Sequence, residues 1–98
     1  GFFSTKNTLH PFLHELGHKK YYELVEKLEE KGYTSFSKQL KGLLNNKDEY
    51  LSDISEYAYI SFLNRKYGEV YAEYYASRKL TAKENKALQA IDFIEKRG

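Results

Sequence analysis

The segment that most constrains the fold is residues 9–28, because its apolar residues recur with the period of an α-helix. The residues that share this pattern are Leu9, Phe12, Leu13, Leu16, Tyr21, Leu24, Val25 and Leu28. Asn7 or Thr8 can cap the helix at its start, and Pro11 is tolerated in its first turn. Gly32 is expected to end it, because glycine readily adopts the left-handed conformation that terminates helices.

The rest of the chain also has a helical pattern, and a single proline with six glycines argues against an all-β fold with many tight turns. The further helices are expected from Ser35 to about Leu44, over 48–63 with an irregular far end, from about Tyr67 to Leu80, and from a capping box at Thr81 and Glu84 to about Lys96. Residues 1–7 can be the end of a strand. We therefore expect one mainly α domain of about five helices over residues 1–98 and, since the chain begins without Met, a fragment of a longer protein.

Composition excludes several functional classes. The formal net charge of +2 is spread along the chain in isolated basic doublets, so no nucleic-acid partner is expected. No apolar run approaches the roughly 20 residues that span a bilayer, so no membrane partner is expected either. Cysteine is absent, which fits a reducing compartment and means that any transition-metal site must use His, Asp or Glu side chains.

The sequence HELGH, residues 14–18, places two histidines four residues apart within the first predicted helix. Residues at this spacing lie one above the other on a helix, so His14 and His18 can direct their imidazoles at one Zn²⁺ ion. Glu15 is turned about 100° around the axis from His14, where a carboxylate can act as a general base. His10 extends the stripe by one turn, but it lies in the first turn beside Pro11 and is not expected to be a ligand.

A third ligand must be a carboxylate, because the extended metzincin pattern would require Gly and His where the chain has Tyr21 and Leu24. The downstream candidates are Glu49, Asp53, Glu56, Glu69, Glu73 and Glu84. Glu69 is favoured, because the small residues Ala72 and Ala76 beside it allow its helix to pack closely on another. Glu73 can be the ligand instead, or an acceptor that orients a histidine.

Three segments in this order, HELGH, SEYA (55–58) and GEVYAEYYA (68–76), resemble the anthrax-lethal-factor-like zinc metallopeptidases, whose relatives occur in bacterial polymorphic toxins and with phage minor head proteins. The resemblance implies a zincin-like helical domain with zinc on His14, His18 and Glu69 and with Glu15 as the general base. It also implies that Tyr57 donates to the oxyanion of the substrate.

The chain departs from this family in two respects. Eleven residues separate Tyr57 from Glu69, which is more than the family pattern has, so Tyr67 or Tyr71 can take the place of Tyr57. The family also places a sheet before the active helix, and here only residues 1–7 precede it.

The stretch EVYAEYYASRKL is similar to a helix of a second family, the zinc peptidases that cleave phage repressors in mobile elements. That pattern also makes Glu69 the ligand, but the family has a shorter gap between its two motifs and is therefore the second choice.

The sequence thus predicts a zinc-dependent metallopeptidase that acts on a protein or peptide substrate and comes from a phage, a mobile element or a toxin. A cytoplasmic or virion-associated location is favoured, and a secreted toxin is the alternative. The competing function is a catalytically inactive helical structural or interaction module. Its sign would be imidazoles of His14 and His18 that are turned apart, or a Glu69 that lies far from both.

Overall fold

A computed structural model describes residues 9–81 and 83–98 of the chain. These residues form five α-helices and one 3₁₀ helix: α1 (Leu9–Glu30), α2 (Phe36–Leu43), the 3₁₀ helix (Asp48–Asp53), α3 (Glu56–Leu63), α4 (Tyr67–Leu80) and α5 (Lys86–Arg97). No strand occurs among them. The prediction of a mainly α fold with about five helices is therefore confirmed. The predicted strand remnant over residues 1–7 and the predicted caps Asn7 and Thr8 lie outside the described residues.

Helix α1 ends as the sequence predicts, at Gly32 in the left-handed conformation with φ +79°. The backbone N–H of Gly32 donates to the carbonyl of Glu29 at 3.1 Å, and that of Tyr33 donates to the carbonyl of Leu28 at 2.9 Å. These two bonds satisfy carbonyl groups that the end of a helix would otherwise leave without a partner.

The segment 48–63, predicted as one unit, divides into the 3₁₀ helix and α3. Ser55 causes the division, because its backbone is extended (φ −171°, ψ 156°) and its side-chain oxygen accepts the N–H of Ala58 at 3.0 Å. Such a residue is a helix N-cap, so a new helix starts directly after it. Ser55 and Tyr57 consequently lie at the start of α3, beside the first half of α4.

The predicted capping box at Thr81 and Glu84 is wrong. Thr81 ends α4, and the cap of α5 is Asn85, whose side-chain oxygen accepts the N–H of Leu88 at 2.9 Å. Asparagine caps a helix as well as threonine does, and Glu84 is engaged elsewhere, since it accepts two hydrogen bonds from Arg78. The last helix therefore begins later than the pattern suggested.

The core forms where α1 and α3 pack on α4 and where α5 contacts α4, α2 and the 3₁₀ helix. Its largest fully buried side chains are Tyr71, Leu28, Leu40, Leu44, Leu51, Leu88, Ile91, Ile94 and Val70. Gly17 allows the close approach of α1 and α4, because a Cβ atom built at Gly17 would lie 2.7 Å from the Cα atom of Ala72. Since the motif HELGH contains this glycine, a close contact between the two helices lies within the motif itself.

Candidate metal centre

The candidate metal centre lies between α1 and α4. His14 and His18 project from successive turns of α1, and Glu69 projects from the first turn of α4. Gly68, next to Glu69, faces the side of His18 away from the carboxylate, and a Cβ atom built there would lie 3.4 Å from His18 Nδ1. The packing of the two helices thus places the three predicted ligands together.

One carboxylate contacts both imidazoles. Glu69 Oε1 lies 2.9 Å from His14 Nε2, and Glu69 Oε2 lies 3.1 Å from His18 Nε2. One ligand atom from each of the three residues lies within 4.8 Å of the other two. His14, His18 and Glu69 therefore form a group that can hold a metal ion.

The chemistry of this group fits a divalent cation. A contact between an imidazole nitrogen and a carboxylate oxygen needs a proton on the nitrogen, and a cation between the three groups would replace these protons. Two histidine nitrogens and one carboxylate oxygen form the three-ligand set that catalytic zinc sites use with one position left open. All three side chains are partly exposed, so the group can be reached from solvent.

Glu73, one turn beyond Glu69, contacts the other nitrogen of His14. Its Oε2 atom lies 2.9 Å from His14 Nδ1, and its other oxygen accepts the hydroxyl of Ser55 at 2.9 Å. Glu73 is buried, with 8% of its surface exposed. Of the two roles that the sequence left open for Glu73, this geometry favours the acceptor that orients a histidine. His10 also lies close, with its Nε2 atom 3.5 Å from Glu73 Oε2.

Tyr57 lies at the same site, since its hydroxyl donates to Glu69 Oε1 at 2.8 Å. This hydrogen bond to a carboxylate raises the pKa of Tyr57 above its ordinary value, so the phenol stays protonated. Of the alternatives that the sequence offered, Tyr71 is buried in the core with its hydroxyl on Glu95, and Tyr67 packs against Phe62. Tyr57 is the one of these three that contacts a predicted ligand.

The charge of Glu69 reflects these contacts. Burial acts to raise the pKa of Glu69, but hydrogen bonds from Tyr57 and His14, together with the charges of the neighbouring imidazoles, outweigh burial and lower it. Glu69 is therefore held as a carboxylate, which is the form that binds a cation.

Glu15 is exposed on α1, directly after His14. The remaining carboxylate candidates, Glu49, Asp53, Glu56 and Glu84, are exposed and do not belong to the metal-binding group of the described residues. Ser55 also belongs to the site, because it donates a hydrogen bond to Glu73, and this role was not predicted from the sequence. Its signal was its place at the start of SEYA, where a serine before a helix is typical of an N-cap.

A cavity of about 360 Å³ is lined mainly by aromatic and aliphatic residues. Tyr21, Leu28, Phe36 and Tyr67 contribute to its wall. Tyr21 also lies beside Gly68, because a Cβ atom built at Gly68 would lie 3.4 Å from Tyr21 Cδ2. An apolar side chain can be buried in this cavity.

No described helix combines the length and the apolar composition that crossing a bilayer would require. Comparison of the chain with models of known protein families, with curated proteins and with solved structures finds no match.

Proposed function

We propose that this chain is a zinc-dependent metallopeptidase domain that hydrolyses peptide bonds. The observation that carries the proposal is the contact of both HELGH imidazoles, through their Nε2 atoms, with the single carboxylate of Glu69 at 2.9 and 3.1 Å. Two histidines one turn apart supply two ligands, and a carboxylate from a second helix supplies the third. The phage, mobile-element or toxin setting belongs to the proposal and rests on the resemblance of the motifs alone.

Zinc held by His14, His18 and Glu69 would lower the pKa of a water molecule and polarise the carbonyl of the peptide bond. Glu15 then accepts the proton of the attacking water and delivers it to the leaving amine, which is the work of a general base and acid. Its exposed position beside His14 leaves it free to face a bound peptide.

Tyr57 stabilises the oxyanion that forms on the substrate carbonyl. Its raised pKa keeps the hydroxyl protonated, so it can donate a hydrogen bond. Tyr57 is half exposed, at 51%, and in the described state its hydroxyl is held at 2.8 Å by Glu69. A cation held by Glu69 would make its oxygens weaker acceptors, which would leave the hydroxyl of Tyr57 able to donate to a substrate.

The substrate is a protein or peptide that contains an apolar side chain. The cavity lined by Tyr21, Phe36 and Tyr67 supports this part of the proposal, because its aromatic wall can bury such a side chain.

The competing function, an inactive helical module, would have imidazoles turned apart and a distant Glu69. The observed distances favour the peptidase over that module.

The experiment that tests the proposal combines metal analysis with proteolysis. The purified domain is expected to bind one equivalent of zinc at low micromolar concentration and to cleave peptides from a mixed library. Glu15→Gln should retain zinc and lose at least about a hundredfold in rate, as expected for a general base. Glu26→Gln, an exposed glutamate of the same helix, is the matched control and should cleave normally.

Zinc binding without any cleavage would favour the inactive module. Full activity of Glu15→Gln would contradict the mechanism, and failure of the wild type to bind zinc would contradict the site.

A further inference from the structure

We infer that Ser55 is a positioning residue for the metal centre, acting on His14 through the buried carboxylate of Glu73. The hydroxyl of Ser55 donates to Glu73 Oε1 at 2.9 Å, while Glu73 Oε2 lies 2.9 Å from His14 Nδ1. Each oxygen of the carboxylate therefore has a separate partner. With both oxygens engaged, the carboxylate cannot rotate, and the ring of His14 is held with Nε2 toward Glu69.

The burial of Glu73 explains why this contact matters. With 8% of its surface exposed, Glu73 has little water to satisfy its oxygens and depends on donors from the protein. If Ser55 lost its hydroxyl, Oε1 would lack this donor. The carboxylate could then turn toward His10, whose Nε2 atom is already 3.5 Å from Oε2, and His14 would lose its fixed orientation.

The hydroxyl group of Ser55 can position Glu73 because it makes two hydrogen bonds, one as an acceptor and one as a donor. Its oxygen accepts the N–H of Ala58 at 3.0 Å and so starts α3, and its hydrogen is donated to Glu73. Two residues later on α3, Tyr57 donates to Glu69. The first turn of α3 therefore fixes both carboxylates that α4 presents to His14.

This inference rests on the proposed zinc site for its effect on metal affinity, but not for its effect on the imidazole of His14. The test therefore has two arms. The first measures zinc affinity of Ser55→Gly by competition with a chromophoric chelator. Glycine is a well-tolerated N-cap residue, so the variant is expected to fold. Zinc affinity should fall about tenfold, the lower end of the range for partners that orient a ligand.

The matched control is Ser35→Gly. Ser35 caps α2 by accepting the N–H of Lys38, and it makes no contact with Glu73. The Ser35→Gly variant should lose a similar small amount of stability and keep the zinc affinity of the wild type. Ser55→Thr retains the hydroxyl and should therefore bind zinc as tightly as the wild type.

The second arm records the ring nitrogens of His14 by NMR in the metal-free protein, with its signals identified by their loss in His14→Gln. The wild type should show a stable protonated Nδ1, donating to Glu73. In Ser55→Gly this signal should shift or broaden, and in Ser35→Gly it should not. If the wild type binds no zinc, the proposed function fails, and this arm alone decides the role of Ser55.

A double-mutant cycle separates positioning from a general structural effect. In a Glu73→Gln background, Ser55→Gly should cause little further loss of zinc affinity, because its effect passes through Glu73. The inference is overturned if Ser55→Gly matches Ser35→Gly in both arms, or if its effect persists undiminished when Glu73 is replaced.

Discussion

Replacing Gly17 with alanine tests directly whether the close packing of α1 on α4 builds the metal centre. A Cβ atom at this position would lie 2.7 Å from the Cα atom of Ala72 and 3.1 Å from Tyr75 Cβ. Carbon atoms in favourable contact lie about 3.5–4.0 Å apart, and a backbone Cα atom cannot rotate away. The two helices must therefore separate by roughly 1 Å at this contact.

The expected change in the free energy of unfolding of Gly17→Ala is the balance of two opposing effects. Forcing an extra methyl group into a close-packed contact costs about 1–3 kcal/mol, whereas replacing glycine by alanine inside a helix stabilises it by about 1 kcal/mol. We expect the free energy of unfolding to fall by roughly 1 kcal/mol on balance. The effect on zinc should be larger, because metal sites hold ligand distances within about 0.2 Å and the separation moves both histidines from Glu69.

The assay pairs urea denaturation with zinc competition in Gly17→Ala and Gly42→Ala. Gly42 lies within α2, and nothing lies within 4 Å of a Cβ atom built there. This control should be as stable as the wild type or more stable, with unchanged zinc affinity. Gly17→Ala should be less stable and bind zinc at least about tenfold more weakly. The reasoning is refuted if Gly17→Ala gains stability like Gly42→Ala and binds zinc normally.

The remaining predictions concern zinc, Tyr57 and alkaline pH. Zinc at a hundred times its dissociation constant should raise the free energy of unfolding of the metal-free protein by about 2.7 kcal/mol, measured by thermal denaturation, and an unchanged midpoint would contradict a native-state site. Tyr57→Phe should fold normally and bind zinc, yet cleave peptides about 10²–10³-fold more slowly; an unchanged kcat would remove Tyr57 from the mechanism. Burial and hydrogen bonds to Glu95 and Asp92 raise the pKa values of Tyr71 and Tyr74 well above the usual range. Their stabilising effect is complete below the unfolded-state pKa of about 10 and is lost as pH rises above it. The phenolate absorbance of these two residues, taken as the difference between the wild type and a Tyr71→Phe, Tyr74→Phe variant, should therefore appear together with unfolding; ionisation of both in the folded protein near pH 10 would refute this.

Much of the fold follows from local signals in the sequence. The apolar period predicts the long helix α1 and the span of α4. The residues that cap helices predict the end of α1 at Gly32 and the start of α2 after Ser35. The errors arose where two local signals competed. Thr81 and Asn85 can each cap a helix, and only the engagement of Glu84 by Arg78 shows why the later cap is used.

The long-range contacts of the site could be predicted only in part. The small residues Ala72 and Ala76 indicated close packing of α4, and the structure brings Glu69 to both histidines. The hydrogen bond from Ser55 to Glu73 could not be predicted, because it depends on the angle at which α3 meets α4. Local pattern contains no information about that angle.

The sequence favoured Glu69 but did not exclude Glu73 as the ligand, for a reason that lies in α4 itself. This helix repeats similar residues every four positions, as in Glu69 and Glu73, Tyr71 and Tyr75, and Ala72 and Ala76. A shift of α4 by one turn along α1 would therefore bring Glu73 and Ala76 to the positions that Glu69 and Ala72 occupy.

In the structure the two helices interleave their side chains in one register. Glu73 lies between His10 and His14, and Glu69 lies between His14 and His18. In this register Glu69 shares the candidate metal-binding group with both histidines, and Glu73 contacts Nδ1 of His14. Glu69→Gln should then weaken zinc binding far more than Glu73→Gln, whose cost is about 10–100-fold. The reverse order would mean that the helices bind zinc in the shifted register, since a one-turn shift exchanges the roles of the two carboxylates.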